Sequence, residues 1–273
     1  MGNLPDDFMF SQSSLQDFAD CPRRFELKYL KRQRFPAQEV DDMLEFERRM
    51  AQGQTFHQLI HQHQIGIPAD VLKARIQDTE ISEWFNTYLK NGLDNIPEKR
   101  YPEKTLTIPI ADYGLLAKID LLAVGDSIKI VDWKTSRYIP SPEKLENRLQ
   151  TRVYRYVVAK GASYLTESKT ISPEQIEMIY WYSAHDGERR SFAYSQAQFE
   201  ADEAYLLQLI DDIDKTPGFP LTHETHHCKF CTYRSLCDRG REAGKLSDYD
   251  EDYDETDLDD FEIDFDQIAE IEF

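Results

Sequence analysis

The 273-residue chain has no apolar run long enough to span a bilayer and no charged-then-apolar leader. Both absences point to a soluble, cytoplasmic protein with no membrane partner. Cysteine is scarce: four in a chain this size do not suggest a disulfide scaffold, and intracellular thiols stay reduced. No internal repeat is visible. An excess of basic residues is also missing, since the formal net charge is -19, which taken alone argues against a nucleic-acid partner. That acidity is local. Residues 248–273 hold 14 Asp and Glu and no Lys or Arg, leaving 37 acids against 32 bases in the other 247 residues. Such a tail repels itself and cannot bury enough apolar surface to fold alone. It reads either as a solubilising extension or as an acidic segment with Phe261, Phe265 and Phe273 that mimics DNA in a basic groove or a partner's pocket.

What is present is concentrated in residues 114–135, GLLAKIDLLAVGDSIKIVDWKT. Two apolar, β-branched-rich runs flank Gly125-Asp126-Ser127 and predict an antiparallel hairpin. Each run carries an acid where an apolar residue is expected, Asp120 in the first and Asp132 in the second. Lys134 follows Asp132 by two and shares its face. Register decides whether Asp120 joins them. A two-residue loop pairing Val124 with Ser127 separates the acids, whereas a three-residue loop pairing Val124 with Ile128 sets Asp132 opposite Asp120. The site requires the odd loop or a bulge. Buried carboxylates need a cation between them. That cation is either Lys134 alone, in a buried ion pair, or a hard divalent ion on oxygen ligands with Lys134 beside it.

The flanking chain predicts a mixed α/β layer pattern. A first helix, SLQDFADCPRRFELKYL, starts from Ser13 or Ser14, buries Leu15, Phe18, Phe25 and Tyr29, and is divided by Pro22. Its cations, Arg23 to Arg34, form either a solvated face or a phosphate-contacting surface. Residues 41–64 predict a long helix with His57 and His61 on one face, where they are either packed or able to chelate a metal. Further helices are expected at 71–89, at 142–160 from the Ser141 cap, and at 196–215, with strands at 106–110 and 176–183. The 142–160 helix sets Gln150 and Tyr154 on one face, within reach of the hairpin. It sets Arg148, Arg152 and Arg155 on another, expected to be solvated. Pro217-Gly218-Phe219-Pro220 ends the regular elements. Beyond it stand Cys228, Cys231 and Cys237, spaced Cys-x2-Cys-x5-Cys, with Cys21 as the only other cysteine. Spacing leaves three readings: an iron-sulfur cluster on four thiolates, a zinc site using Cys21 or one of His223, His226 and His227, or incidental buried cysteines.

In order along the chain, Ser14-Leu15 with Cys21-Pro22 and Phe25, Gly53-x3-His57, Asp120, Asp132-x-Lys134-Thr135, Gln150-x3-Tyr154 and the three late cysteines resemble one family. It is the PD-(D/E)XK nuclease superfamily, in its RecB-type branch of iron-sulfur nuclease domains, and the likeness spans residues 13–239. The resemblance implies a restriction-endonuclease-like core with a central mixed β-sheet flanked by helices. An iron-sulfur subdomain would join the N- and C-terminal segments. The chain would then divide into a 1–40 helical segment contributing Cys21, a 41–216 nuclease core, a 217–244 cysteine segment and a 245–273 disordered acidic tail.

The same resemblance implies Asp120, Asp132, His57 and the Trp133 carbonyl as ligands of a catalytic Mg2+ or Mn2+. Lys134 would assist the attacking water, Gln150 and Tyr154 would hold the strand and Lys134 in position, and Cys21, Cys228, Cys231 and Cys237 would ligate one 4Fe-4S cluster. Ala117 stands where the family often has Gly, which touches only local backbone shape, and Asp132 stands where others have Glu. The implied activity is metal-dependent hydrolysis of DNA phosphodiesters, on single strands or duplex ends. Repair, recombination and CRISPR-type defence all use this domain. The alternative is a non-catalytic nucleic-acid-binding or scaffold protein that keeps the fold.

Overall fold

The computed structural model describes residues 3–35, 37–166 and 170–252. The expectations for residues 253–273, including the DNA-mimic reading with Phe261, Phe265 and Phe273, lie outside them. Strand β1 (Met9–Phe10) leads into α1 (Gln12–Asp20), α2 (Pro22–Phe25) and a wide helical turn at Glu26–Leu30. Helix α3 spans Met43–Gln64, α4 Ala69–Lys73 and α5 Thr79–Thr87. Strands β2 (Lys99–Ile110), β3 (Tyr113–Val124) and β4 (Ile128–Lys134) follow, then α6 (Pro142–Asn147) and α7 (Leu149–Gly161). Strands β5 (Ile176–Tyr182) and β6 (Glu188–Ala193), α8 (Gln196–Lys215) and α9 (Leu246–Asp252) complete the order.

Local chemistry sets these bounds and corrects several expectations. The cap of α1 is Ser11, earlier than expected, because its hydroxyl accepts the Ser14 N–H while the Ser14 hydroxyl accepts the Ser11 N–H in return. The single helix expected over 71–89 is two, since Asp78 accepts the N–H groups of Glu80 and Ile81 and starts a new one. The helix expected over 142–160 is broken at Arg148, whose backbone is extended (φ -60, ψ 142). The basic first segment is largely paired within itself: Arg24 is buried against Asp17 and Asp20, and Lys28 reaches Asp17 at 3.0 Å. The tail does not begin at 245 as a featureless segment, because α9 packs Leu246 and Tyr249 onto Phe46 of α3 and Phe230.

The sheet is mixed. Its order is β1-β3-β4-β5-β6, with β2 on the other edge of β3. Strands β4 and β5 run parallel, which requires a crossover, supplied by α6 and α7. The hairpin closes with Val124 opposite Ile128, the odd register the site requires. One face carries Leu122, Ile130, Met178 and Tyr180 under α1, α7 and α8. The other carries Leu121, Val131, Trp133 and Trp181 under α3 and α5. Along β3 the alternation breaks once: Leu115, Ala117 and Ile119 share the first core with Leu122 and Val124, so the strand shifts face across Asp120–Leu121. On β2 the residue opposite this step is Glu103, with a left-handed backbone (φ 48).

Phe56 of α3 is fully buried, stacked on Trp181 at 6.2 Å and against Trp84 at 5.8 Å, one residue before His57. Phe56→Ala is therefore expected to cost about 3–5 kcal/mol of unfolding free energy in urea titration.

Candidate metal-dependent active site

Pairing of β3 with β4 stops at Leu121 opposite Val131. Continued by one step, it would set Asp120 opposite Asp132. Instead β3 leaves its partner, and the next exposed backbone donor of β4, the N–H of Trp133, is taken by Asp120 Oδ2 at 2.8 Å. On the same edge β3 next meets β1, at Gly114 and Leu115. Residues 116–120 thus have no strand beside them on that edge, and Asp120 stands at the mouth of a fork.

The acids divide the site between them. Asp120, 9 % exposed, lies 3.5 Å from Nδ1 of His57 on α3. Burial alone would raise its carboxyl, but His57, the Trp133 N–H and Lys134 together hold it below the usual carboxylate range. Glu103 joins this group: one donor atom each from His57, Glu103 and Asp120 lie within 4.8 Å of one another. Burial and the neighbouring Asp120 raise the Glu103 carboxyl, and Lys118 at 3.4 Å opposes them. Asp132, 3 % exposed, sits in a compact trio. Its Oδ2 pairs with Lys134 Nζ at 2.9 Å, and its Oδ1 accepts from Gln150 Nε2 at 2.8 Å. The two acids thus serve adjacent groups, linked through the Trp133 backbone and Lys134, rather than one shared cluster of oxygens. The shift of face at Asp120 is the cause.

Gln150 reaches the site from the second residue of α7, and its Oε1 has no hydrogen-bond partner among the described residues. Tyr154, one turn further on, is buried in the core on the same helix. The Trp133 indole packs away from the acids, against Tyr88 and Trp181. His61, four residues from His57, is not among the grouped donors. The expectation of a solvated arginine row fails at Arg155, which is 2 % exposed. Packing of α8 on α7 brings Asp202 within 3.6 Å of it, and the Tyr194 ring covers its guanidinium at 4.5 Å.

Glu103 is the functional candidate that sequence reading missed. Its local signal is slight, an acid after Pro102 in a strand, because β2 is far longer than the expected 106–110. Only the full-length β2/β3 pairing reveals it as the residue opposite Asp120.

An imidazole and two carboxylates at these separations suit a hard to borderline divalent cation such as Mn2+ or Mg2+. Away from these acids in sequence, Cys21, Cys228, Cys231 and Cys237 line one cavity together with Arg24, Arg234 and Arg239. None is in a disulfide. Burial pushes the Cys231 thiol up to about 11.

A model of the PD-(D/E)XK nuclease superfamily matches residues 9–238, and the chain belongs to that superfamily. Its mixed central sheet flanked by helices is consistent with the restriction-endonuclease-like core. Among solved structures, a Eubacterium rectale protein provisionally named an exonuclease is similar at 12 % identity and a TM-score of 0.50, covering 88 % of this chain and 90 % of that one. The protein SSO0001 is similar at 13 % identity and a TM-score of 0.40, covering 86 % and 88 %. No curated protein matches significantly. Among the described residues no helix is long and apolar enough to cross a membrane.

If Glu103 belongs to the metal group, Glu103→Gln will weaken Mn2+ binding about tenfold or more by titration calorimetry, with an unchanged melting temperature.

Proposed function

We propose that this nuclease is a divalent-metal-dependent deoxyribonuclease that hydrolyses phosphodiester bonds in single strands or at duplex ends. The observation that carries the reading is the fork at Asp120. It gathers His57, Glu103 and Asp120 beside the buried Asp132–Lys134–Gln150 trio. A bare Asp–Lys pair would explain the trio and leave the first group without purpose.

His57, Glu103 and Asp120 would hold the Mg2+ or Mn2+, with Asp132 and the Trp133 carbonyl as the further ligands the family resemblance implies, and the ion would supply Lewis acidity and a more acidic water. The chain's own groups do the rest. Asp132 fixes the Lys134 ammonium through a 2.9 Å contact and is itself fixed by Gln150. That ammonium stands where negative charge develops on the phosphate. The buried, unpartnered Oε1 of Gln150 is a hydrogen-bond acceptor that would orient the attacking water. Tyr154 packs the helix that carries Gln150.

The four-cysteine cavity is proposed to hold a 4Fe-4S cluster. Cys21, Cys228, Cys231 and Cys237 line it together with three guanidiniums that would offset a cluster's negative charge. Its role is structural. A scaffold protein that keeps the fold without activity is the second reading, and the intact acids and lysine weigh against it.

Lys134→Ala and Asp132→Ala proteins are expected to bind labelled single-stranded DNA and lose cleavage by about a thousandfold or more, whereas chelator abolishes cleavage by the wild type. Persistent cleavage by either variant would overturn the assignment. Cys228→Ala is expected to lose iron and thermal stability together. Protein purified with zinc and no iron would remove the cluster from the reading.

A further inference from the structure

The break between α6 and α7 falls two residues before Gln150, where the sequence favours an unbroken helix. Departures from local preference gather at working sites, so the residue at the break is informative. It is Arg148, and its extended backbone turns the side chain over the ring of Tyr180, 6.0 Å from the centroid. Lys134 Nζ approaches the same ring at 5.7 Å. Tyr180 is the β5 partner of Asp132 and is wholly buried.

The platform beneath the two cations is rigid. The Thr151 hydroxyl lies 2.6 Å from the Leu145 carbonyl, to which it donates, and so accepts from the Tyr180 hydroxyl, also at 2.6 Å. Leu145 and Thr151 bracket the break, so the ring, the kink and the guanidinium are fixed with respect to one another. A planar guanidinium with several donors suits the non-bridging oxygens of a phosphodiester better than an ammonium does. The Tyr180 ring thus holds this guanidinium beside the Lys134–Asp132 pair.

We infer that Arg148 contacts the substrate backbone, holding a phosphate of the strand at or next to the scissile one on the Lys134 side of the site. The inference rests on the nuclease reading, and it assigns Arg148 to substrate binding rather than to bond breaking.

The test is strand affinity, measured by fluorescence anisotropy on a labelled single-stranded oligonucleotide over a salt series with Ca2+ as the divalent ion. Arg148→Gln is expected to bind about tenfold more weakly and to lower the salt slope by about 0.7. Mn2+ affinity by calorimetry should be unchanged, and Arg148→Lys should recover the slope. An unchanged affinity and slope, or a loss of Mn2+ binding alongside strand binding, would overturn the contact. A measurement on the wild-type chain covers a variant that fails to fold: bound oligonucleotide should protect Arg148 from an arginine-selective dicarbonyl, read by mass spectrometry, and absence of protection sinks the idea. Wild-type cleavage separates the two readings. If the protein binds the strand but does not cleave it with Mn2+ or Mg2+, the nuclease reading fails, whereas the Arg148 contact is decided on affinity, slope and protection alone. Wild-type protein that binds no strand removes both.

Discussion

The hydrogen bond from the Trp133 N–H to the Asp120 carboxylate is the contact on which the site depends. Two strands this apolar would ordinarily zip to their ends, since each buried N–H left without an acceptor costs about 1–3 kcal/mol. Asp120 removes that penalty by substituting its own oxygen for a backbone carbonyl, so β3 can leave β4 one residue early. The same acid therefore opens the cleft and supplies charge to it. Asparagine there could still accept the N–H and hold the fork, while the negative charge would be gone. Structure and chemistry at this position are separable by one atom.

The fork also explains why the two acids behave differently. Asp132 stays in the ladder, opposite Tyr180 of β5, and its charge is compensated by Lys134 within the sheet. Asp120 and Glu103 stand outside regular pairing, with His57 and Lys118 as the nearby positive or protonatable groups. A neutral trio thus borders a group rich in carboxylate. Lys134, held by Asp132, also stands close enough to Asp120 to help lower its carboxyl.

Most of this frame was legible in the sequence because it is written in short-range patterns. The hairpin, the α3 and α8 spans and the Gln150 reach follow from periodicity of two or 3.6 and from turn residues, whereas the odd loop is required by a shared site rather than dictated by the turn. What escaped is what depends on distant partners. The shift of face at Asp120 needs the left-handed Glu103 across β2, a backbone state no local rule assigns to glutamate in a strand. The N-terminal half of β2, the two-residue β1 and strand β6 exist through pairing with β3 and β5 rather than through their own composition. Burial of Arg155 could not be read either, because it depends on Asp202, 47 residues later.

Beyond the packing of α1 on the sheet, the cysteine-lined cavity is tied to α3 through backbone hydrogen bonds. Gly244 donates to the Lys229 carbonyl and accepts from the Asp41 N–H, and Ala37 donates to Thr232. A Cβ at Gly244 would meet the Phe230 ring at 2.4 Å, so the close approach needs glycine. Asp41 then accepts the Leu246 N–H, and Asp42 caps α3 by accepting from Glu45. The segment that carries Cys228, Cys231 and Cys237 is thus stitched to the residues that start α3, four turns before His57 on the same rigid helix. Whatever orders the four thiols also orders the N-terminus of the helix that delivers an imidazole to Asp120.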